Sequence, residues 1–318
     1  MVILFIFGIL LGLIFVWRAA DHVVAHALRL ARHYKVSTFF VGFVFLAMAA
    51  NMPELAVAVV AALRGVGQIA AGDIIGACFN DIALVVGLAL TFAGSITMKR
   101  RESLSFLRLI IGAAVVMACV FVIGTLTAMH GFLLIGIYAV FIALSWRSRH
   151  EHTLLEISHD DLVHAHPLPR IGLFFVWAKA CGALTIVLCG SVLSIHCGVA
   201  LAAAFGLLLE SVGATIIAIG TTLPEVSMGF HAYRRGQFSL ALGPAIGTVF
   251  SQATLVLGVL AVLSDRAIDL VALQGAAVFM FVAFVVIAAS ILLGRMGRAT
   301  GIALLGLFVA YMLYHVMC

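Results

Sequence analysis

Four acidic residues lie where a strongly apolar sequence should have none. Glu54, Asp73, Asp81 and Glu225 each fall inside a long apolar stretch of the 318-residue chain. Placing one carboxylate at the centre of a membrane helix costs about 2.5–3.5 kcal/mol even on the scale from insertion experiments, so a function is the default explanation. Asp73 is nearest to the start of its stretch, and for this residue a purely structural role stays open.

Two of these acids directly follow a proline, in the segments AMAANMPELAV and AIGTTLPEVSM. A proline inside a helix lacks the N–H and clashes with the carbonyl four residues earlier, which should free the carbonyls of Ala49 and Gly220. Calcium takes about six to eight hard oxygen ligands, sodium also takes oxygen, and neither segment has the Cys or His that zinc or copper prefers. The other oxygen donors of the two segments are Glu54, Glu225, Asn51, Thr221 and Thr222.

The composition indicates a membrane protein. Hydrophobic residues make up 65% of the chain and charged residues 10%, against about 25% charged residues in soluble domains. This excludes a soluble enzyme, a nucleic-acid binder and a disordered chain, and apolar runs of this length do not fit a β-barrel. We predict an all-α polytopic membrane protein whose ten spans lie at about 2–19, 37–62, 68–94, 104–127, 131–147, 171–195, 211–232, 239–263, 270–293 and 299–316.

The positive charges predict the topology. Of the 18 Lys and Arg residues, 15 fall in the connections after odd-numbered spans and only Arg64 and Arg266 fall after even-numbered ones. The positive-inside rule then places the odd connections in the cytoplasm and both termini outside. The first span has no positive residue before its apolar core, so we expect it to be retained and not cleaved as a signal peptide.

The chain divides into two similar halves. Shifted by 171 residues, positions 41–87 align without a gap onto 212–258, and 16 of the 47 pairs are identical, including Pro53-Glu54 with Pro224-Glu225. The predicted units are a first half, 1–147, a linker, 148–170, and a second half, 171–318. Because each half has five spans, the second enters the membrane from the opposite face, the arrangement of transporters that bind substrate between inverted repeats.

The linker contains five histidines. They could bind a metal or respond to pH, but their spacing matches no zinc signature, and a solvated cytoplasmic linker is the preferred interpretation.

The span after each Pro-Glu segment carries a second motif, GDIIGACFND in the first half and GPAIGTVFSQ in the second. Glycines four residues apart allow close helix packing, and we expect this at Gly72 and Gly76 and at Gly243 and Gly247. The polar residues further along the same helical face are Asp81 in the first half and Thr248 and Gln252 in the second.

These motifs resemble the two α-repeats of the cation/calcium exchanger superfamily, whose pattern is G-T-S-x-P-E followed by G-N-x-x-G-S-N-x-x-[ND]. The resemblance implies that Glu54 and Glu225 are paired calcium ligands. It further implies ligand positions at Asp81, Gln252, Asn51, Thr222 and Thr248. The chain departs from the pattern at Ala50, Asn51 and Ala77, where the family has hydroxyls, and at Asp73 and Pro244, where it has asparagine.

The expected function is secondary active antiport, in which Ca²⁺ or a similar cation exchanges for Na⁺ by alternating access. The expected partners are the transported cations and the lipid bilayer, with no cofactor and no nucleic acid, in a bacterial inner or plasma membrane. Alternatives are proton-coupled antiport, a passive channel and a non-transporting relative. An intramembrane enzyme is disfavoured because no HExxH or GxSxG motif is present.

Overall fold

Helices account for most of the chain in the computed structural model, which describes residues 2–33, 51–93, 100–147, 170–223, 225–226, 238–294 and 296–317. The helices are α1 (Val2–His33), α2 (Met52–Leu63), α3 (Gly67–Asn80), α4 (Gly87–Ala93), α5 (Arg100–Ile123), α6 (Ala128–Arg147), α7 (Arg170–Phe205), α8 (Leu209–Val212), α9 (Ala218–Thr221), α10 (Phe238–Ser251), α11 (Leu257–Leu263), α12 (Gln274–Leu292) and α13 (Arg298–Met317). A 3₁₀ turn covers Val271–Leu273. Three π-helical segments join consecutive helices: π1 (Asp81–Val86), π2 (Gly213–Ile217) and π3 (Gln252–Val256).

The described helices follow the predicted spans in order. Seven of them are long and apolar enough to cross a membrane, and three shorter apolar helices, Met52–Leu63, Ala128–Leu144 and Leu209–Thr221, fall at the remaining predicted positions. The prediction of an all-α polytopic membrane protein is therefore confirmed. The first and sixth helices extend beyond their predicted spans, since α1 continues to His33 and α7 to Phe205. The histidine-rich part of the linker, 148–169, lies outside the described residues.

The connections after even-numbered spans meet at one face of the bundle. A short antiparallel pair joins β1 (Thr125–Leu126), after the fourth span, to β2 (Ile268–Asp269), after the eighth. At the same face, a Cβ added to Gly67 would lie 3.1 Å from Ser264 Oγ, which brings the connection after the second span beside them. We refer to this side as the even-connection face. The distribution of positive charges predicts that all connections after even-numbered spans lie on one side of the membrane, and these three connections do lie at one face.

Helix α3 and the segments from π2 to α9 form the centre of the bundle. Of the residues from Gly67 to Phe92, 83% are buried, against 17% in the window of α13. Gly72 and Gly76 permit the crossing as expected, because a Cβ would collide with the carbonyl of Glu210 at the first glycine and with that of Ala214 at the second. Close contact is also predicted at Gly247, where none of the described residues has an atom within 4 Å of an added Cβ. The segment equivalent to the partner of Gly76, 41–47, lies outside the described residues, so this expectation stays a prediction.

Two of the three described π-helical segments, π1 and π3, occupy equivalent positions in the two halves. π1 begins at Asp81 and π3 at Gln252, which are equivalent positions under the 171-residue offset. A π turn inserts one residue into a helix and rotates the later turns of that helix, and such turns are frequent at functional sites. In both halves the insertion begins at a predicted ligand position.

Candidate functional site

The two Pro-Glu segments lie at interruptions of their helices. In the first half, Asn51 precedes α2, Pro53 occupies its first turn, and the Leu55 amide donates to the Asn51 carbonyl at 2.9 Å. In the second half, α9 ends at Thr221 and buried Glu225 follows within one turn. The predicted free carbonyl of Ala49 and the ring of Pro224 lie outside the described residues.

Gly220 is described, and it lies in α9 directly before the two threonines of the second Pro-Glu segment. A Cβ at Gly220 would collide with the side chain of Leu13 in α1. The segment therefore packs tightly against the first helix of the chain, which fixes its position.

All four acids predicted to be buried are buried. Glu54, Asp73 and Asp81 have no exposed surface and Glu225 is 2% exposed, while no lysine or arginine is among the buried residues that the structure describes. The charges of Glu225, Asp73 and Asp81 all act on the Glu54 carboxylate. Because burying several carboxylates without a cation nearby is strongly unfavourable, and no lysine or arginine is buried with them in the described part of the chain, this group is suited to bind a cation.

Two aspartates of α3 and π1 accept hydrogen bonds from threonines of the other half. Thr221 Oγ1 donates to Asp73 Oδ1 at 2.9 Å, and Thr248 Oγ1 donates to Asp81 Oδ2 at 2.7 Å. Gln252, fully buried, lies next to Asp81. The predicted ligands Asp81, Thr248 and Gln252 are therefore brought together at the interface between the halves.

Two amide–hydroxyl pairs cross the same interface. The Asn51 amide nitrogen donates to Ser251 Oγ, and the Asn80 amide nitrogen donates to Thr222 Oγ1 at 3.4 Å. Asn51 is equivalent to Thr222, and Asn80 is equivalent to Ser251, under the 171-residue offset. The two bonds are thus symmetry mates. In both, the first half supplies the amide and the second half the hydroxyl, but the amide lies in the Pro-Glu segment in one bond and in the second motif in the other.

The sequence interpretation omitted Asn80 and Ser251. Both are buried, and their equivalence in the repeat, with a polar side chain at the same position in each half, is the signal that could have identified them. The Thr222 hydroxyl also donates to the Ala218 carbonyl, so its oxygen remains available to accept from Asn80.

The site is a mixed set of oxygens. Among the described residues, no group of three or more His, Cys, Asp or Glu side chains is arranged to hold one ion. Neither carboxylate oxygen of Glu54 has a hydrogen-bond partner among those residues. A cation here would therefore bind carboxylates together with the amide, hydroxyl and carbonyl oxygens that surround them.

Comparison with known proteins agrees with this layout. The profile of the family described as sodium/calcium exchanger protein matches the chain twice, over residues 4–147 and 174–317. The chain belongs to the sodium/calcium exchanger family. It is accordingly a cation antiporter and not an enzyme, and the predicted resemblance is confirmed.

Several relatives span nearly the whole chain or most of it. CaxA of Alkalimonas amylolytica, which carries the name of an antiporter, is 29% identical over 95% of this chain and 96% of its own. The inner membrane protein YrbG of Escherichia coli is 27% identical over 96% and 94%. The sodium/calcium exchanger MaX1 of Methanosarcina acetivorans is 23% identical over 79% and 80%.

The fold matches a solved exchanger. The sodium-calcium exchanger NCX_Mj, in a crystal soaked with 2.5 mM Na⁺ and 0.1 mM Ca²⁺, has a TM-score of 0.62 and 25% identity to this antiporter, over 98% of each chain. The antiporter thus has the exchanger fold over almost its full length.

Proposed function

We propose that this antiporter exchanges Ca²⁺ for Na⁺ at a site between its halves. The observation that carries the proposal is the group of buried acids, Glu54 and Asp81 from the first half and Glu225 from the second, with no buried Lys or Arg among the described residues. Three carboxylates can neutralise a divalent cation, and the surrounding hydroxyl and amide oxygens suit Ca²⁺ and Na⁺. MaX1, a relative, bears the name of a sodium/calcium exchanger.

The ligand set we propose combines residues from both halves. It consists of Glu54, Glu225, Asp81, Asn51, Thr221, Thr222, Thr248 and Gln252, with the backbone carbonyls of Ala49 and Gly220. Alternating access then results from movement of one half against the other around this site. Because ligands from both halves meet the same ion, an occupied site favours a closed arrangement.

Proton coupling is the second candidate. Ala50 and Ala77 occupy positions at which the pattern of the cation/calcium exchangers has hydroxyl side chains. The site therefore lacks two oxygens that would suit Na⁺. A carboxylate freed by the departing Ca²⁺ could take up a proton instead of a sodium ion.

One flux experiment distinguishes Na⁺-coupled from proton-coupled exchange. Purified protein in liposomes is given ⁴⁵Ca²⁺ under an imposed Na⁺ gradient and, separately, under an imposed proton gradient. Uptake driven by Na⁺ alone supports the proposal, and uptake driven by protons alone replaces it with the second candidate. Uptake that needs no counter-ion gradient is the behaviour of a channel, and it would contradict antiport.

We further propose that the protein lies in a bacterial inner or plasma membrane with both termini outside. The orientation is supported by the 15 Lys and Arg residues in the connections after odd-numbered spans and by the position of β1, β2 and Gly67 together at the even-connection face. In a background in which the native cysteines are replaced, a cysteine at Thr125 should react with an impermeant thiol reagent added outside intact cells. A cysteine at Gly294 should react only after the membrane is opened, and the reverse pattern would overturn the orientation.

A further inference from the structure

Two histidines lie one turn apart on α1, just beyond the apolar part of that helix. The stretch of α1 that is long and apolar enough to cross a membrane is Val2–Ala19, and His22 and His26 follow it within the same helix. Residues four apart face the same side of an α-helix, and the centroids of the two imidazole rings are 6.4 Å apart. Neither histidine belongs to the exchange site proposed above.

The ring of His26 is held in one orientation by its own helix. Its Nδ1 lies 2.6 Å from the carbonyl oxygen of His22. Because a carbonyl oxygen only accepts, Nδ1 carries a proton and donates it, and in the neutral ring Nε2 keeps its lone pair. A histidine that binds a metal usually donates its other ring N–H to a carboxylate, a backbone carbonyl or water. His26 therefore has the arrangement of a metal ligand, with Nε2 as the ligating atom.

His22 can supply a second nitrogen to the same ion. Its side chain is exposed, whereas that of His26 is 8% exposed. At a Zn–N distance of about 2.0–2.1 Å, two imidazole rings on one tetrahedral ion have centroids roughly 5 Å apart. The His22 ring must approach His26 by about 1 Å to reach this separation, which is a small movement for an exposed side chain.

The surroundings of the pair suit a partly hydrated ion. His22 is three residues past Ala19, about 4.5 Å along the helix, and therefore beyond the apolar stretch. Arg18, one turn before His22, has its guanidinium over the ring of Trp17, 5.3 Å from the centroid. In the part of the chain that the structure describes, no third His, Cys, Asp or Glu side chain joins the pair. Water therefore completes the coordination.

We propose that His22 and His26 form a binding site for a transition-metal ion such as Zn²⁺. Imidazole nitrogen suits Zn²⁺, Cu²⁺ and Ni²⁺, whereas the oxygen donors of the exchange site suit Ca²⁺ and Na⁺. The two sites are also separate in space. Leu13 of α1 reaches the second Pro-Glu segment at Gly220, and His22 lies about 14 Å further along the helix. Under the proposed orientation, the ion binds from the cytoplasm.

Equilibrium dialysis with ⁶⁵Zn²⁺ tests the site. Full-length protein without a histidine tag is dialysed in detergent, with glutamine at the five linker histidines in every sample and with excess Ca²⁺ present to occupy the exchange site. We expect His22→Gln and His26→Gln each to bind one Zn²⁺ per chain at least about tenfold more weakly. Even changes to residues that only orient a metal ligand cost about 10–100-fold in affinity.

His196→Gln is the matched control, because His196 is an exposed histidine on the other long helix, α7. It should bind ⁶⁵Zn²⁺ with wild-type affinity. A second readout is the electron paramagnetic resonance of bound Cu²⁺, which should show two coordinated imidazoles in wild type and one in either variant of the pair.

Equal ⁶⁵Zn²⁺ affinity of wild type, His22→Gln and His26→Gln would overturn the site, and so would an equal loss in His196→Gln. If the mostly buried His26 does not tolerate replacement, the exposed His22 decides through its own variant. Because Ca²⁺ is present throughout, the outcome does not depend on whether Na⁺ or protons drive exchange.

Discussion

Cys78 and Val249 occupy equivalent positions in the two halves and touch each other across the interface. The Cys78 thiol donates to the Val249 carbonyl at 3.8 Å, the two positions are 171 apart in the sequence, and both side chains are fully buried. A residue can contact its own equivalent only near the axis that relates the halves. The axis therefore passes beside Cys78, one turn of α3 or less from Asn80 and Asp81.

Enlarging the side chain at this contact should impair exchange. Cys78→Leu adds volume where the halves meet, and overpacking of this kind costs about 1–3 kcal/mol. We expect a lower thermal transition and at least tenfold slower Na⁺-dependent ⁴⁵Ca²⁺ uptake in liposomes. Cys189→Leu is the matched control, because Cys189 is exposed on α7, and equal effects of the two changes would show that the interface at Cys78 is not tightly packed.

Two glycines of α3 allow this helix to cross α8 and π2 at close range. Gly72→Ala and Gly76→Ala each place a methyl group against backbone carbonyls, those of Glu210 and Ala214, which cannot move without shifting a helix. We expect both variants to be recovered poorly as folded protein and to lose several degrees of thermal stability in detergent. Gly136→Ala has open space around its Cβ on α6 and should behave as wild type; normal stability of all three variants would refute the close approach.

Tyr311 stabilises π2 from the last helix. Its hydroxyl donates to the Ala214 carbonyl at 2.8 Å, and its ring lies against that of Phe79 with centroids 4.4 Å apart. Tyr311→Phe keeps the ring and removes the donor, which should lower the free energy of unfolding by about 1–3 kcal/mol because the carbonyl stays buried. The thermal transition of this variant is compared with that of Tyr314→Phe, a change at a more exposed ring of α13. A transition temperature lowered no more than in Tyr314→Phe would refute the stabilising role of Tyr311.

The symmetry-related amide–hydroxyl bonds should contribute similarly to cation binding. Ser251→Ala removes the acceptor of Asn51, and Asn80→Ala removes the donor to Thr222. We expect each to weaken ⁴⁵Ca²⁺ binding by about five- to thirtyfold, as for the loss of one hydrogen bond of about 1–2 kcal/mol. Ser191→Ala is the control, because it deletes a buried hydroxyl that donates to the Val187 carbonyl of its own helix, α7, at 2.9 Å. It should leave ⁴⁵Ca²⁺ binding unchanged, and an equal loss of binding in this variant would show that the two bonds across the interface have no special role.

The sequence alone was sufficient for the all-α membrane fold and for the burial of the acids, because long apolar runs are unambiguous and a carboxylate within one is rare. It also identified the equivalence of Glu54 and Glu225. Self-alignment pairs positions that correspond, however, and not positions that touch. The partners Asp73–Thr221 and Asn80–Thr222 therefore needed the packed structure.

The sequence also could not predict which face of each buried helix packs against which neighbour. α3 is buried on nearly every side, so its apolar pattern does not distinguish the face at Gly76 from that at Cys78. The π turns at Asp81 and Gln252 have no local signal in the residues, since they arise where tertiary packing stabilises an inserted residue.

If carboxylates from both halves hold one ion, equilibrium binding of ⁴⁵Ca²⁺ must depend on a glutamate from each half. Wild type, Glu54→Gln and Glu225→Gln are purified in the same detergent, with matched elution profiles as proof of folding. We expect one Ca²⁺ per wild-type chain and at least about a hundredfold weaker binding in each variant, since each removes one buried charged ligand. Binding of Ca²⁺ with wild-type affinity by either variant would contradict a site shared between the halves.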